Sequence, residues 1–135
     1  MRLRGCRLRR MKLAQVRRFA MSLPEVTEEP HFSSTSFRVR GKIFATAPPD
    51  GEHLHVFLAE EERELALAME RDFVEKLLWG GKVCGLRVVL PKAKPKIVAE
   101  LLMRAWVYKA PKKLVLKKAA AQTAGRRRTR EEFAG

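Results

Sequence analysis

The strongest constraint on the fold lies between Ser36 and Ala47. Two alternating runs, Ser36-Phe37-Arg38-Val39-Arg40 and Ile43-Phe44-Ala45-Thr46-Ala47, flank a Gly41-Lys42 dipeptide. Period-two alternation places one set of side chains on each face of a strand, and a Gly-X pair between two such runs suits a type II′ hairpin turn. With Gly41 and Lys42 as the loop, Arg40 is expected opposite Ile43, Val39 opposite Phe44 and Arg38 opposite Ala45. Phe37, Val39 and Phe44 then share the core face, and Arg38 and Arg40 point to the other.

Around this hairpin the chain reads as a mixture of helices and strands. Leu13, Val16, Ala20 and Leu23 recur at helical spacing and predict a helix over 12–21, ended by Pro24. The acidic segment 25–30, bounded by prolines, reads as a loop. Pro48-Pro49-Asp50-Gly51 is a turn, after which Leu54, Val56 and Leu58 alternate in a third strand. Glu60, Glu61 and Glu62 suit the positive end of a helix dipole and open a helix over 60–70, with a further short helix expected over 72–78. Gly80-Gly81 breaks the chain, and Leu86, Val88 and Leu90 alternate in a fourth strand. Pro95 starts a final helix whose apolar positions are Val98, Leu101, Leu102, Ala105 and Trp106.

The formal charge of +14 points to a polyanionic partner, and its distribution says which part of the chain would meet it. Residues 1–18 carry eight bases and no acid, and residues 109–135 carry nine bases against two acids. The segment between holds twelve bases and thirteen acids. A neutral middle can attract phosphate only through a local patch, so the long-range attraction belongs to the ends. Solubilising extensions have the same composition.

No stretch approaches the roughly 20 apolar residues of a membrane span, and Lys12, Arg17 and Arg18 interrupt the apolar run that a secretory signal needs. A cytoplasmic protein, with monomer favoured, is expected. Cys6 and Cys84 show no paired spacing; Cys84 is expected near the core and Cys6 as a free thiol in a tail. A second methionine, Met11, suggests that residues 1–10 are an optional extension. His53 and His55 project to one side of a strand, where Asp50, Glu52 or His31 could complete a metal site, but a polar strand face explains them without a metal. No nucleophile with a base, paired carboxylates or complete phosphate loop has a recognisable spacing; Gly80-Gly81-Lys82 lacks the rest of a phosphate-loop pattern. No enzyme activity, cofactor or metal is expected.

An ordered series of motifs adds a second line of argument. Ser22-Leu23-Pro24-Glu25, His31-Phe32, Phe37 to Ala45, Trp79-Gly80-Gly81-Lys82, Gly85-Leu86-Arg87-Val88 and Ala105-Trp106 resemble the MmcQ/YjbR family of small bacterial proteins, over about residues 12–113. The resemblance implies an α+β fold like that of the bacterial frataxin homologue: an antiparallel sheet of four to five strands, helices on one face, and N- and C-terminal helices flanking. It also implies a DNA-binding role without established enzyme activity. The acidic run Glu60 to Glu62 and both basic ends depart from the family pattern.

The expected organisation is a basic extension over 1–11, an α+β domain over 12–116 and a basic, disordered tail over 117–135. The expected function is non-specific or weakly specific DNA binding, with RNA as a further partner. Arg38, Arg40, Lys42 and Arg87 would form the patch on the sheet, and Arg126, Arg127 and Arg128 would supply phosphate contacts from the tail. A protein-interaction module and a metal-binding frataxin-like domain are the alternatives.

Overall fold

The computed structural model describes residues 11–121. Its elements are α1 (Leu13–Ser22), β1 (Val26–His31), β2 (Ser34–Val39), β3 (Lys42–Ala47), β4 (His53–Val56), α2 (Glu60–Met69), β5 (Val74–Trp79), β6 (Lys82–Val89), a 3-10 turn (Leu90–Lys92) and α3 (Pro95–Lys109). A further helix, α4, spans 112–121. All strand pairings are antiparallel, in the order β1-β2-β3-β4-β6-β5.

The α+β architecture expected from the sequence is present, but the sheet has six strands rather than four to five. The segment expected as a loop at 25–30 is β1, and the short helix expected over 72–78 is β5. These two are the edges of the sheet. An edge strand buries little: in β1 only the two end residues are partly covered, and in β5 only Val74 is buried, so neither shows the alternation that identifies a strand. Pro30 is tolerated in β1 because an edge strand has a free side on which no ladder donor is needed.

The helices cover one face. α3 lies across β3 and β4, α1 packs on α3 and β1, and α2 sits beside β5 and β6. Val98, Leu101, Leu102, Ala105 and Trp106 form the buried side of α3, and Val16 and Ala20 that of α1. They meet Phe37, Val39, Phe44, Leu54, Val56, Leu86 and Val88 from the sheet. Trp106 is fully buried, and its indole Nε1 donates to the carbonyl of Pro24 at 3.0 Å, which fixes the α1–β1 turn against α3.

The central hairpin differs from the expected register. Its loop is Arg40-Gly41, both at positive φ (49° and 84°), and Val39 pairs with Lys42. Two successive positive φ values define a type I′ turn rather than II′. The displacement is absorbed by an irregularity: Arg38 faces Ile43 but Phe37 faces Ala45, leaving Phe44 as an extra residue on β3. Phe37, Val39 and Phe44 therefore remain buried as the alternation required. At the C-terminal end, residues 117–121 continue α4, so position 116 is not the end of an element.

Replacing Trp106 by Phe removes the donor to Pro24 and leaves that carbonyl unpartnered in a packed site. The expected loss is about 1–3 kcal/mol, read from the urea midpoint of the full chain.

Candidate functional site

The sheet face away from the helices carries a polar row that crosses all six strands. Glu29 pairs with Ser36, Ser36 with Thr46, Thr46 with His55, His55 with Arg87 and Arg87 with Glu75. Ser36 and Thr46 are the buried polar residues among those described. The Ser36 hydroxyl donates to the Glu29 carbonyl at 2.8 Å and accepts from Arg38 Nε at 2.9 Å, so burial leaves its oxygen partnered on both sides.

The four sheet cations expected to form a patch separate into three situations. Arg38 and Arg87 do share the open face, with β3 and β4 between them, roughly 14 Å apart across the strands at standard spacing. Arg40 does not. It occupies the β2–β3 turn and makes a two-point ion pair with Glu25, at 2.7 and 3.0 Å. That pair holds the Glu25 carboxyl below and the Arg40 guanidinium above their ordinary values. Lys42 is exposed beside the turn, opposite Val39. Arg126, Arg127 and Arg128 lie outside the described residues, as does Cys6.

Arg87 belongs to a local chain of contacts. Asp50 accepts from the backbone N–H groups of Glu52 and His53 at 2.8 and 3.2 Å and lies 2.8 Å from His53 Nδ1, while Arg87 stands 3.1 Å from His53 Nε2 and 3.9 Å from Glu75. A neutral His53 that donates from Nδ1 to Asp50 and accepts at Nε2 from Arg87 satisfies both contacts. The backbone donor of Glu52, joined by His53, lowers the Asp50 carboxyl against the opposing effect of burial. With both ring nitrogens occupied, His53 has no lone pair left for a metal, and among the described residues no three His, Cys, Asp or Glu side chains are grouped to hold one. The Asp–His pair also lacks catalytic form, since Nε2 faces a guanidinium where a nucleophile would have to sit.

A cleft opens on the same face. Aromatic and aliphatic side chains form half of its lining: Phe32, Phe57, Leu77, Leu78 and Trp79. His31, Ser34, Thr46, His55 and Cys84 complete the lining, and the volume is about 440 Å³, within the roughly 300–1,000 Å³ of small-ligand sites. Phe32 and Trp79 come from diagonally opposite corners, the β1–β2 turn and the end of β5; a twisted sheet curls such corners towards the same face. Phe32 is 95% and Trp79 81% exposed. None of Arg38, Arg40, Lys42 or Arg87 lines the cleft.

The floor depends on Gly85. A Cβ there would stand 2.7 Å from the Val56 carbonyl oxygen and 3.0 Å from the Phe57 ring, so the missing side chain lets Phe57 lie against β6. Cys84, expected near the core, is exposed; Leu77 pairs with Gly85 and Leu78 with Val83, which makes Cys84 the extra residue of an irregularity and displaces it to the cleft side. The aromatic jaws went unrecognised in the sequence as site residues. Gly80-Gly81 beside Trp79 is a hairpin signal that could have placed Trp79 at a strand end, whereas Phe32-Ser33 contains no Gly, Asn or Asp to mark a two-residue hairpin turn.

Two outcomes follow from this geometry. Gly85→Ala should cost about 1–3 kcal/mol through overpacking, seen as a lower urea midpoint. Burial first, then the charge of Arg87, pushes the His55 imidazole below its ordinary value of 6.5, so the folded protein favours its neutral form. Stability held by His55 is therefore complete above that ordinary value and lost as pH falls through the lower folded midpoint. An NMR titration of the imidazole protons should place His55 below a free histidine, and Arg87→Gln should raise it.

The YjbR family model matches residues 21–108, which spans β1 to β6, all but the last residue of α3 and every residue lining the cleft. Among solved structures, the Deinococcus radiodurans protein DR2400, described by the family-model domain DUF419, is similar at 17% identity with a TM-score of 0.60, over 73% of this chain and 77% of that one. No curated protein matches. The structural likeness speaks for the fold, and the match over well more than half of the sequence for the family: the chain belongs to the YjbR family.

Proposed function

We propose that the protein binds nucleic acid, attaching to DNA without sequence specificity or with weak specificity, and to RNA by the same phosphate chemistry. The observation that supports this is the separation of charge from fold. The segment 19–108 is close to neutral, with twelve bases against thirteen acids, and the excess positive charge lies towards the two ends of the chain. Within the body, arginines are already engaged, Arg40 with Glu25, Arg87 with Glu75 and Arg104 with Glu62, and Arg17 just before it pairs with Glu28. Phosphate contacts then fall to the terminal arginines, while Arg38 and Arg87 orient the open sheet face. A cytoplasmic monomer fits this role, and no helix among the described residues is long and apolar enough to cross a membrane.

A second reading, a protein-interaction module, is favoured by the groove between α2 and α3, where exposed Leu65 and Met69 lie among Glu62, Glu70 and Glu100. Nuclease treatment separates the two: a protein partner stays attached after it, and nucleic acid does not.

The direct test is fluorescence anisotropy with labelled duplex DNA over a salt series, comparing the full chain with residues 11–121. The shortened chain lacks nine arginines and two glutamates. Its affinity at physiological salt should fall about tenfold or more, with a shallower dependence of log affinity on log salt. Arg38→Ala with Arg87→Ala should weaken what remains. No binding by the full chain would sink the proposal, and unchanged binding by the shortened chain would remove the ends from it.

A further inference from the structure

Phe32 is a residue of the cleft that the fold gains little by keeping. The Phe32-Ser33 turn joins paired His31 and Ser34, and Phe32 alone of its two residues has positive φ, at 57°. Glycine fills that position without strain, while an aromatic side chain does so against its backbone preference. The other non-glycine residues in this conformation, Glu25 and Arg40, hold one another in an ion pair. Phe32 has only an edge-on ring contact with His31, at 4.8 Å, and is otherwise in solvent. Strain and exposure coincide at the mouth of a cleft whose opposite jaw is an exposed tryptophan.

We propose that this cleft takes unpaired bases of a single-stranded nucleic acid, stacked on Phe32 and Trp79 with their polar edges towards Ser34, Thr46 and His55. The inference rests on the nucleic-acid reading above and adds the form of the ligand. Hydroxyls and an imidazole supply both donors and acceptors, so they can meet the edge of any base, and stacking is equally tolerant because every base has a π-face. No acidic residue lines the cleft. Lys82 is paired with Trp79 and Arg87 with His55, which puts cations beside the lining where a backbone phosphate would run. A second copy of the chain is the rival occupant of an apolar cleft, but it would bring a second charge of +14 against the first.

The full chain can be titrated at physiological salt with fluorescein-labelled oligo(dT) and with a duplex of equal length, following anisotropy and tryptophan emission together. Trp106 is buried, so quenching on binding reports Trp79. The expected result is tighter binding of the single strand, with quenching. Phe32→Gly should weaken oligo(dT) binding roughly five- to hundredfold, leave duplex binding unchanged and leave the urea midpoint level or higher, which separates loss of a stacking surface from loss of fold. Trp79→Ala should weaken it similarly and abolish the quench. If both variants bind oligo(dT) as the parent does, the cleft assignment is overturned while nucleic-acid binding stands. If the full chain binds neither probe, both readings fall. Concentration-dependent dimerisation in sedimentation, lost in both variants and without preference for the single strand, would assign the cleft to a second copy instead.

Discussion

With its helices on one side, the sheet must present its other face to water, and that one-sidedness governs the rest of the molecule. The covered face can be uniformly apolar, down to a buried Trp106 whose only polar atom is spent on Pro24. The open face has to satisfy hydrogen bonds instead. It does so with a row from Glu29 to Glu75 in which the two most buried members, Ser36 and Thr46, carry small hydroxyls, that of Ser36 satisfied by the Glu29 carbonyl and Arg38. His55 lies in the same row, and burial beside Arg87 explains why its neutral form is favoured.

What the sequence disclosed follows from the same asymmetry. The buried side of α3 was legible residue by residue, as were Leu54, Val56, Leu86 and Val88, because hydrophobic periodicity is a record of burial. β1 and β5 left almost no such record. Thr27, Glu28, Glu29 and Pro30 are exposed on an edge, and Phe73 and Leu77, four apart, imitate a helix although the chain through Leu77 is extended. The hairpin was legible as a hairpin but not in register. Its turn begins at Arg40, an arginine at positive φ, and the contact with Glu25 that accompanies this conformation crosses fifteen residues of sequence.

The candidate site was legible in its charges and illegible in its shape. Arg38 and Arg87 could be assigned to one face by counting along strands, since period two carries that information. A cleft built from opposite corners could not be found by such counting, because it depends on twist accumulated over six strands and on two edge strands that periodicity does not reveal. Gly85 illustrates the limit. Read along the chain it is a weak point at the start of a strand; in three dimensions it is the absence of a side chain under Phe57.

On the proposed function, charge and shape divide the work of recognition between different parts of the chain. The terminal arginines can attract any polyanion over a distance set by salt, about 8 Å at physiological ionic strength, and such attraction does not distinguish one nucleic acid from another. The cleft acts only at contact, and no lysine or arginine lines it, so stacking and hydrogen bonding there should respond less to salt than the phosphate contacts of the ends and of Lys82 and Arg87 beside it. A duplex keeps its bases stacked on one another, whereas a single strand can surrender them to Phe32 and Trp79. An electrostatic component shared by all nucleic acids, with a contact component confined to unpaired ones, is therefore the form of selectivity that a neutral body with basic ends and an aromatic cleft can produce.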